Sequence, residues 1–170
     1  RPEAETDGDA EVDAEALTTS PNTVFGSGDH LTLGRLWIGA SLLFGVAGWV
    51  VTALVGANEV GDDIFTAQAA STMFTLGQLG LVLLVLVPLM LGILTFVVPL
   101  QVGANTVAFP RAASLAFWTW FISSGVLIAA NAIDGGFGGG RQEAVDLMLL
   151  ALLGVVAALV LGAGCVIATA

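Results

Sequence analysis

The sequence has no tyrosine, no lysine, a single histidine and a single cysteine among its 170 residues. A lone cysteine excludes an intrachain disulfide, and Cys165 lies in an apolar run, as is typical of a small core residue. Only 11% of the residues are charged, whereas soluble globular domains carry about a quarter. Because 56% of the residues are hydrophobic as well, the composition indicates a membrane protein.

Positive charge is scarce: four arginines stand against fourteen acidic residues, which gives a net charge of −10. This balance argues against nucleic acid and against anionic lipid as partners, since both attract basic surfaces. Seven of the acidic residues fall between Glu3 and Glu15, among few large apolar side chains. We therefore expect residues 1–28 to form a solvated, disordered acidic tail.

Four long stretches carry no charge: residues 36–58, 64–110, 112–133 and 147–170. About 20 apolar residues suffice to cross a bilayer as a helix. The sequence therefore predicts an all-α membrane protein, with a bundle of four transmembrane helices in residues 29–170, at about 33–55, 71–98, 113–132 and 145–170. The second stretch is long enough for two spans, but its Pro99, Gly103, Asn105 and Pro110 predict a helix end near residue 99 and a short connection. Pro88 predicts a kink within the second helix.

Two helices carry small residues at every fourth position, a pattern that lets two membrane helices approach closely. The predicted packing stripes are Gly48, Thr52 and Gly56 in the first helix and Gly154, Ala158 and Gly162 in the fourth. The stripe in the fourth helix is the stronger signal, and we expect it to dock a partner protein. We expect such a partner protein and the lipid bilayer to be the two kinds of neighbour that contact the helices.

The basic residues also predict the orientation of the bundle. In a four-helix topology Arg1, Arg35 and Arg111 fall on one side of the membrane and Arg141 on the other. Since cytoplasmic segments carry an excess of basic residues, both termini are predicted to be cytoplasmic.

Residues 72–110 read TMFTLGQLGLVLLVLVPLMLGILTFVVPLQVGANTVAFP. This segment resembles subunit I of the haem-copper oxidases, the cytochrome c oxidase family, and its register is fixed by Pro88, by residues 97–104 and by residues 107–111. The resemblance implies that residues 29–170 adopt the fold of the N-terminal third of that subunit, in a cytoplasmic membrane of prokaryotic type. The motif residues of the connecting loop are Pro99, Gln101, Gly103, Phe109, Pro110 and Arg111.

The chain departs from this family at the position that matters most. The family's run beginning Phe-Thr-Met continues with the histidine that ligates the low-spin haem, whereas here Phe74, Thr75 and Leu76 are followed by Gly77. Glycine offers no ligand to iron. We therefore expect no cofactor, no metal and no catalytic residue, and we expect Phe44, Leu76 and Leu83 to close the space of the missing haem.

Further departures concern electrons and protons. No arginine or lysine lies between Arg35 and Arg111, although the family supports its haem with an arginine near the end of the first helix. The family's proton-collecting aspartate is replaced by Thr106, and its asparagines by Ala113 and Ser114. The single histidine, His30, follows Asp29 as in the family, outside the metal sites, and is expected to be an exposed or capping residue.

These observations favour a non-catalytic accessory subunit that packs against larger integral membrane subunits of an oxidase, respiratory or membrane-monooxygenase complex. An alternative is a haem-binding electron-transfer subunit, or a fragment of a cytochrome oxidase, in which Met73 or Met90 ligates the iron. A small transporter or channel is disfavoured, because the spans contain no interior charged residue to mark a path.

Overall fold

The computed structural model describes residues 29–60, 66–104, 106–133, 136 and 140–170. The predicted acidic tail, residues 1–28, lies outside this part of the chain. The helices are α1 (His30–Val60), α2 (Ala67–Gly80), a π-helical segment (Leu81–Leu86), α3 (Val87–Val102), α4 (Pro110–Ala132) and α5 (Gln142–Ile167). α2, the π-helical segment and α3 follow one another without a break, and together they form what we call the second span.

Four helical stretches are long and apolar enough to cross a membrane: His30–Ala57, Ala69–Val102, Pro110–Ala132 and Gln142–Ile167. The prediction of an all-α membrane protein with four spans is confirmed. The first three spans extend slightly beyond the bounds predicted from sequence, because polar residues can occupy the outer turns of a membrane helix. The fourth begins at Gln142, earlier than expected, and its helix ends at Ile167.

The first span is capped by Asp29. One carboxylate oxygen, Oδ1, accepts a hydrogen bond from the backbone N–H of Leu31 at 3.1 Å, and the other accepts one from the Thr32 hydroxyl at 2.8 Å. The hydrogen bond from Thr32 lowers the pKa of the Asp29 carboxyl, which keeps the cap ionised at the positive end of the helix dipole. His30 is 7% exposed, so the expectation of an exposed or capping histidine is wrong: Asp29 is the cap, and the imidazole is buried beside it.

The second span runs past the predicted end near residue 99. Pro99 lies inside the last turn of α3 and is buried. Gly103 adopts the left-handed conformation, with φ +71°, and the N–H of Ala104 donates to the carbonyl of Pro99 at 2.9 Å. A proline near the end of a helix removes one hydrogen bond without ending the helix, so the glycine cap sets the boundary at Val102.

The irregularity predicted at Pro88 takes the form of the π-helical turn just before it. There the N–H of Val87 donates to the carbonyl of Val82, five residues back. The next bond in that pattern would join residue 88 to the carbonyl of Leu83, but proline has no N–H. The indole N–H of Trp120, on α4, donates to this carbonyl at 3.2 Å. A side chain of another helix thus satisfies the backbone group that Pro88 leaves free, as hydrocarbon surroundings require.

Trp120 is also the centre of an aromatic cluster formed by side chains of α1 and α4. Its ring lies 4.9 Å from that of Trp37, and the ring of Phe44 meets it edge-on at 5.5 Å. Phe117 packs edge-on against Trp37 at 5.3 Å. Trp37 and Trp120 are fully buried, so the cluster forms the centre of the core between α1, the second span and α4.

α1 and α3 touch backbone to backbone at Gly34 and Gly92. A Cβ on Gly92 would lie 2.8 Å from the Cβ of Trp37 and 3.0 Å from the backbone nitrogen of Ile38. A Cβ on Gly34 would lie 3.2 Å from the carbonyl oxygen of Gly92. Only glycine allows this approach, and this contact sets the distance between the first two spans.

The small residues of the fourth span also face the inside of the chain. Ala158 is 2% exposed. A Cβ on Gly154 would overlap the hydroxyl of Ser123, and one on Gly162 would lie 2.7 Å from Cδ2 of Leu91. The predicted role of this stripe as a docking surface is therefore corrected: it packs against α4 and α3 and is closed to a partner.

The loop between the second span and α4 is attached to the end of the fourth span. The N–H of Ala108 donates to the hydroxyl of Thr169 at 3.0 Å, and that hydroxyl donates to the carbonyl of Cys165 at 2.7 Å. Val107 is 2% exposed beneath this connection. The beginning of α4 and the end of α5 therefore lie at the same end of the bundle.

Replacing the Trp120 indole, which donates a hydrogen bond to the Leu83 carbonyl, should lower the stability of the bundle. Trp120→Phe keeps an aromatic ring but leaves the Leu83 carbonyl without a donor, so we expect a loss of about 1–2 kcal/mol in the free energy of unfolding. Trp49→Phe is the matched control, because the Trp49 side chain is 75% exposed. Denaturing-detergent titrations of both variants in mixed micelles measure the difference, and equal losses would contradict the role of the hydrogen bond.

Two glycine substitutions should have opposite effects on stability. Gly92→Ala places a methyl group against the backbone of α1, and overpacking of this kind costs about 1–3 kcal/mol. Gly125→Ala, in α4, meets no atom within 4 Å, so the better helix propensity of alanine should stabilise the chain by up to about 1 kcal/mol. The same detergent titration compares them. Two changes of the same sign would refute the close contact at Gly92.

Candidate functional site: the cavity at Gly77

A cavity of about 410 Å³ lies between α1, the second span and α4. Its walls are apolar, and residues 44–52 of α1 and 73–85 of the second span supply most of them, with Ile128 from α4. The volume falls in the range of about 300–1,000 Å³ that is usual for ligand pockets. The prediction that bulky side chains close this space is wrong.

The three side chains expected to fill the space leave it open: two of them form part of its wall and one lies outside it. Phe44 forms part of the wall, but its ring packs against Trp120 and Phe121. Leu83 is absent from the wall and packs against the buried side chains of the core. Leu76 lines the cavity while contacting the smaller core cluster. These contacts hold Phe44 and Leu76 in the wall of the cavity and Leu83 outside it, so the cavity stays open.

Gly77 faces the cavity. A Cβ built on this glycine would lie 3.7 Å from the hydroxyl oxygen of Thr52, on the opposite wall, with nothing nearer. A side chain at position 77 would therefore project into the cavity towards α1. The position at which the resemblance places the haem ligand thus retains its direction and its space, but glycine supplies no donor atom.

The other polar and sulfur atoms of the walls are few. Met73 precedes Gly77 by four residues, which puts it on the same face of α2, and it lines the cavity. Thr52 donates its hydroxyl proton to the carbonyl of Gly48 at 2.9 Å. Gln78 is exposed at the edge. Met90, the second candidate ligand, is 53% exposed and lies outside the cavity wall.

These walls do not fit a haem. Protein haems are held by histidine, cysteinate, tyrosinate, or methionine paired with histidine, and of these only the thioether of Met73 is present among the lining residues. A porphyrin's carboxylates also need basic partners, and no arginine or lysine lines the cavity. Within the described ranges, no group of three or more histidine, cysteine or acidic side chains that could hold a metal ion occurs either.

The stripe predicted on α1 lies beside this cavity. Gly48 and Thr52 line it, whereas Gly56 lies beyond its wall. A Cβ on Gly48 or Gly56 would meet no atom within 4 Å. The two glycines of the stripe are thus not packed against another helix in the described part of this chain, whereas Thr52 lies opposite Gly77 of α2. The close backbone contact between α1 and the second span is at Gly34 and Gly92 instead. Sequence reasoning missed that contact, although a glycine inside a helix costs about 1 kcal/mol relative to alanine and usually has a packing reason.

The motif residues of the loop divide into buried and exposed ones. Pro99 is buried and Gly103 provides the left-handed cap, while Pro110 opens α4. Gln101, Phe109 and Arg111 are exposed. Thr106, at the position of the family's proton-collecting aspartate, is exposed as well. The loop therefore keeps a defined shape, and its outer side chains are free of the described core.

The sequence was compared with protein families and with curated proteins. Residues 32–170 match the family model described as cytochrome c and quinol oxidase polypeptide I. A probable cytochrome c oxidase subunit 1-alpha of Streptomyces avermitilis is 32% identical over 116 residues, which is 64% of this chain and 20% of the relative. Cytochrome c oxidase subunit 1 of Corynebacterium efficiens is 30% identical over 110 residues, covering 64% of this chain and 19% of the relative.

A third relative, quinol oxidase subunit 1 of Bacillus subtilis, is 29% identical over 100 residues, or 56% of this chain and 15% of the relative. The chain thus spans about a fifth of the length of the curated relatives it matches. The family match covers most of the chain, including every span. The chain belongs to the cytochrome c and quinol oxidase polypeptide I family.

Proposed function

We propose that this chain is a non-catalytic accessory subunit, which has kept the fold of the family's first four helices and lost the chemistry of the haem site. The observation that carries the proposal is Gly77. Its Cβ direction points into the cavity, where a ligand would stand, and the walls around it hold no histidine. A subunit without a ligand at this position cannot take up electrons there.

The proposal extends to protons. A proton collector in a membrane protein needs an ionisable group, and Thr106 is neutral where the resemblance implies a carboxylate. Ala113 and Ser114, in place of asparagines, are buried in the first turns of α4. With no electron acceptor and no proton collector, the remaining role is structural: packing against other subunits and sealing them from lipid.

The partners we propose are larger integral membrane subunits of an oxidase, respiratory or membrane-monooxygenase complex. Family membership supports an oxidase-type partner. The surface that supports it is the outer face of α1, where Leu42, Leu43 and Val46 are more than half exposed beside the open stripe at Gly48 and Gly56. Small residues next to an apolar face allow a partner helix to approach closely.

The orientation we propose places both termini on the cytoplasmic side of a prokaryotic-type membrane. Arg35 and Arg111 are exposed, and both stand near the end of the bundle where α1 and α4 begin. Arg141 stands at the start of α5, at the opposite end. This distribution agrees with the excess of basic residues on cytoplasmic surfaces.

One observation favours a second candidate, a haem-binding electron-transfer subunit or an oxidase fragment. The cavity is open at the family's haem position, and Met73 lines it one turn from Gly77. A thioether is a known haem ligand when another side chain completes the coordination, and a partner subunit would have to supply that second ligand.

An absorption spectrum of the complex purified with this chain separates the two functions. We expect the haem content per complex to be unchanged when the chain is removed, because the chain supplies no ligand. We expect it to be unchanged by Met73→Leu as well, because the Met73 thioether does not bind the iron. Met90→Leu is the matched control, since Met90 lies outside the cavity wall. A haem band that disappears with Met73→Leu but persists with Met90→Leu would reject the accessory role and establish the electron-transfer role.

A further inference from the structure

We propose that the Gly77 cavity is a lipid site, which holds one acyl chain of a membrane phospholipid in the space where the family's fold accommodates a haem. An acyl chain fits the apolar walls of the cavity, and its presence explains why the space between the helices has not collapsed. The proposal goes beyond the accessory role and concerns the chain without a partner helix at Gly48.

The depth of the cavity points to the hydrocarbon of one leaflet. Phe44, at one end of its α1 wall, lies at the middle of the apolar stretch His30–Ala57. From Phe44 to Thr52 the helix rises about 12 Å, at 1.5 Å per residue. One leaflet contributes about 15 Å of the hydrocarbon core. The cavity therefore extends from near the bilayer centre towards the end of α1, over the depth that a single acyl chain occupies.

The chemistry of the walls selects hydrocarbon. The residues facing the cavity are mainly aliphatic, aromatic or glycine, and the hydroxyl of Thr52 is already bonded to the carbonyl of Gly48. Water would need about two to four polar partners at each position, and these walls do not offer them. An empty space would forfeit van der Waals contacts along all three helices. A flexible alkyl chain restores those contacts and needs no polar partner.

The entrance is open to lipid. Trp49, Phe74 and Leu81 belong to the wall, yet they are 75%, 58% and 60% exposed. When the chain by itself crosses the membrane, side chains exposed at this depth are accessible to acyl chains. Leu84, by contrast, also lines the cavity and is only 4% exposed, so it marks the inner end. A chain entering between Trp49 and Phe74 would reach Leu84.

Glycine is what keeps the space available. Gly48 on α1 and Gly77 on α2 stand on facing walls, and neither sends a side chain into the cavity. A leucine at either position would fill part of it. Gly56 lies on the same face of α1 two turns beyond Gly48, also has open space around its Cβ direction, and does not line the cavity. It provides a control of identical chemistry.

The first test counts bound lipid. The full chain, purified in detergent, is titrated with phosphatidylcholine, and the complexes that survive desolvation are counted by native mass spectrometry. We expect one strongly retained phospholipid for the unmodified chain and for Gly56→Leu. For Gly77→Leu the apparent affinity should fall by about tenfold or more, the change produced by losing roughly 1.4 kcal/mol of contact energy. Equal retention by Gly77→Leu and Gly56→Leu overturns the proposal, and so does the absence of any retained lipid on the unmodified chain.

The second test needs no substitution, so it is decisive even where a leucine variant fails to fold. The unmodified chain is reconstituted into vesicles of phosphatidylcholine whose acyl chain carries a photoactivatable diazirine, irradiated, and mapped by peptide mass spectrometry. Leu84 should be labelled well above Leu159, a leucine that is similarly buried, at 7% exposure, but lies outside the cavity wall. Equal labelling of the two leucines overturns the acyl-chain site. Displacement of the label by added haemin, with a haem band retained by the chain, overturns it in favour of porphyrin.

Discussion

The carbonyl of Leu83 has no backbone donor, and the whole arrangement of the bundle depends on how this group is satisfied. Hydrocarbon cannot hydrogen-bond to it, and the proline at position 88 removes the N–H that the π-helical turn would otherwise bring to it. Trp120 donates from α4 at 3.2 Å. To do so its ring must lie between α1 and the second span, where it packs at a tilt against Trp37 and meets Phe44 edge-on. The hydrogen bond to this one carbonyl thereby fixes the position of α4 and organises the aromatic core.

The first two spans are in tight contact at one level and leave an open space at another. Gly34 and Gly92 bring α1 and α3 together until only glycine fits. Further along α1, near Gly48, no side chain of the second span fills the gap. The aromatic core, centred on Trp120, holds the Phe44 ring at the wall of that gap, and Leu83 packs outside it. The cavity is therefore a consequence of where the core packs, and Gly77 leaves it without a polar occupant from the chain itself.

The proposed function separates the family's architecture from its chemistry. The loop after the second span keeps its buried proline, its left-handed glycine and its attachment to the end of the fourth span through Ala108 and Thr169. These features depend on backbone geometry and small hydrogen bonds. Metal binding depends on a few donor side chains, so it can be lost by single substitutions that leave the packing intact.

The sequence alone determined the four membrane-spanning helices, because long apolar runs without charge are placed in the bilayer and not in water. It also identified the motif loop and placed Gly77, which has no donor atom, where the resemblance implies a haem ligand. Its fourfold spacing of small residues identified faces but not their neighbours: the stripe at Gly154 packs inside the chain, whereas Gly48 and Thr52 border the open cavity.

Only the tertiary structure decided which glycines bring helices together, how the carbonyl before Pro88 is satisfied, and whether the space beside Gly77 stays open. Spacing along a helix fixes the angle between side chains of that helix. What stands opposite each face depends on contacts between residues far apart in sequence, such as Trp120 with Leu83 and Gly34 with Gly92. Those contacts are settled together when the four helices pack, and no single segment of the sequence contains them.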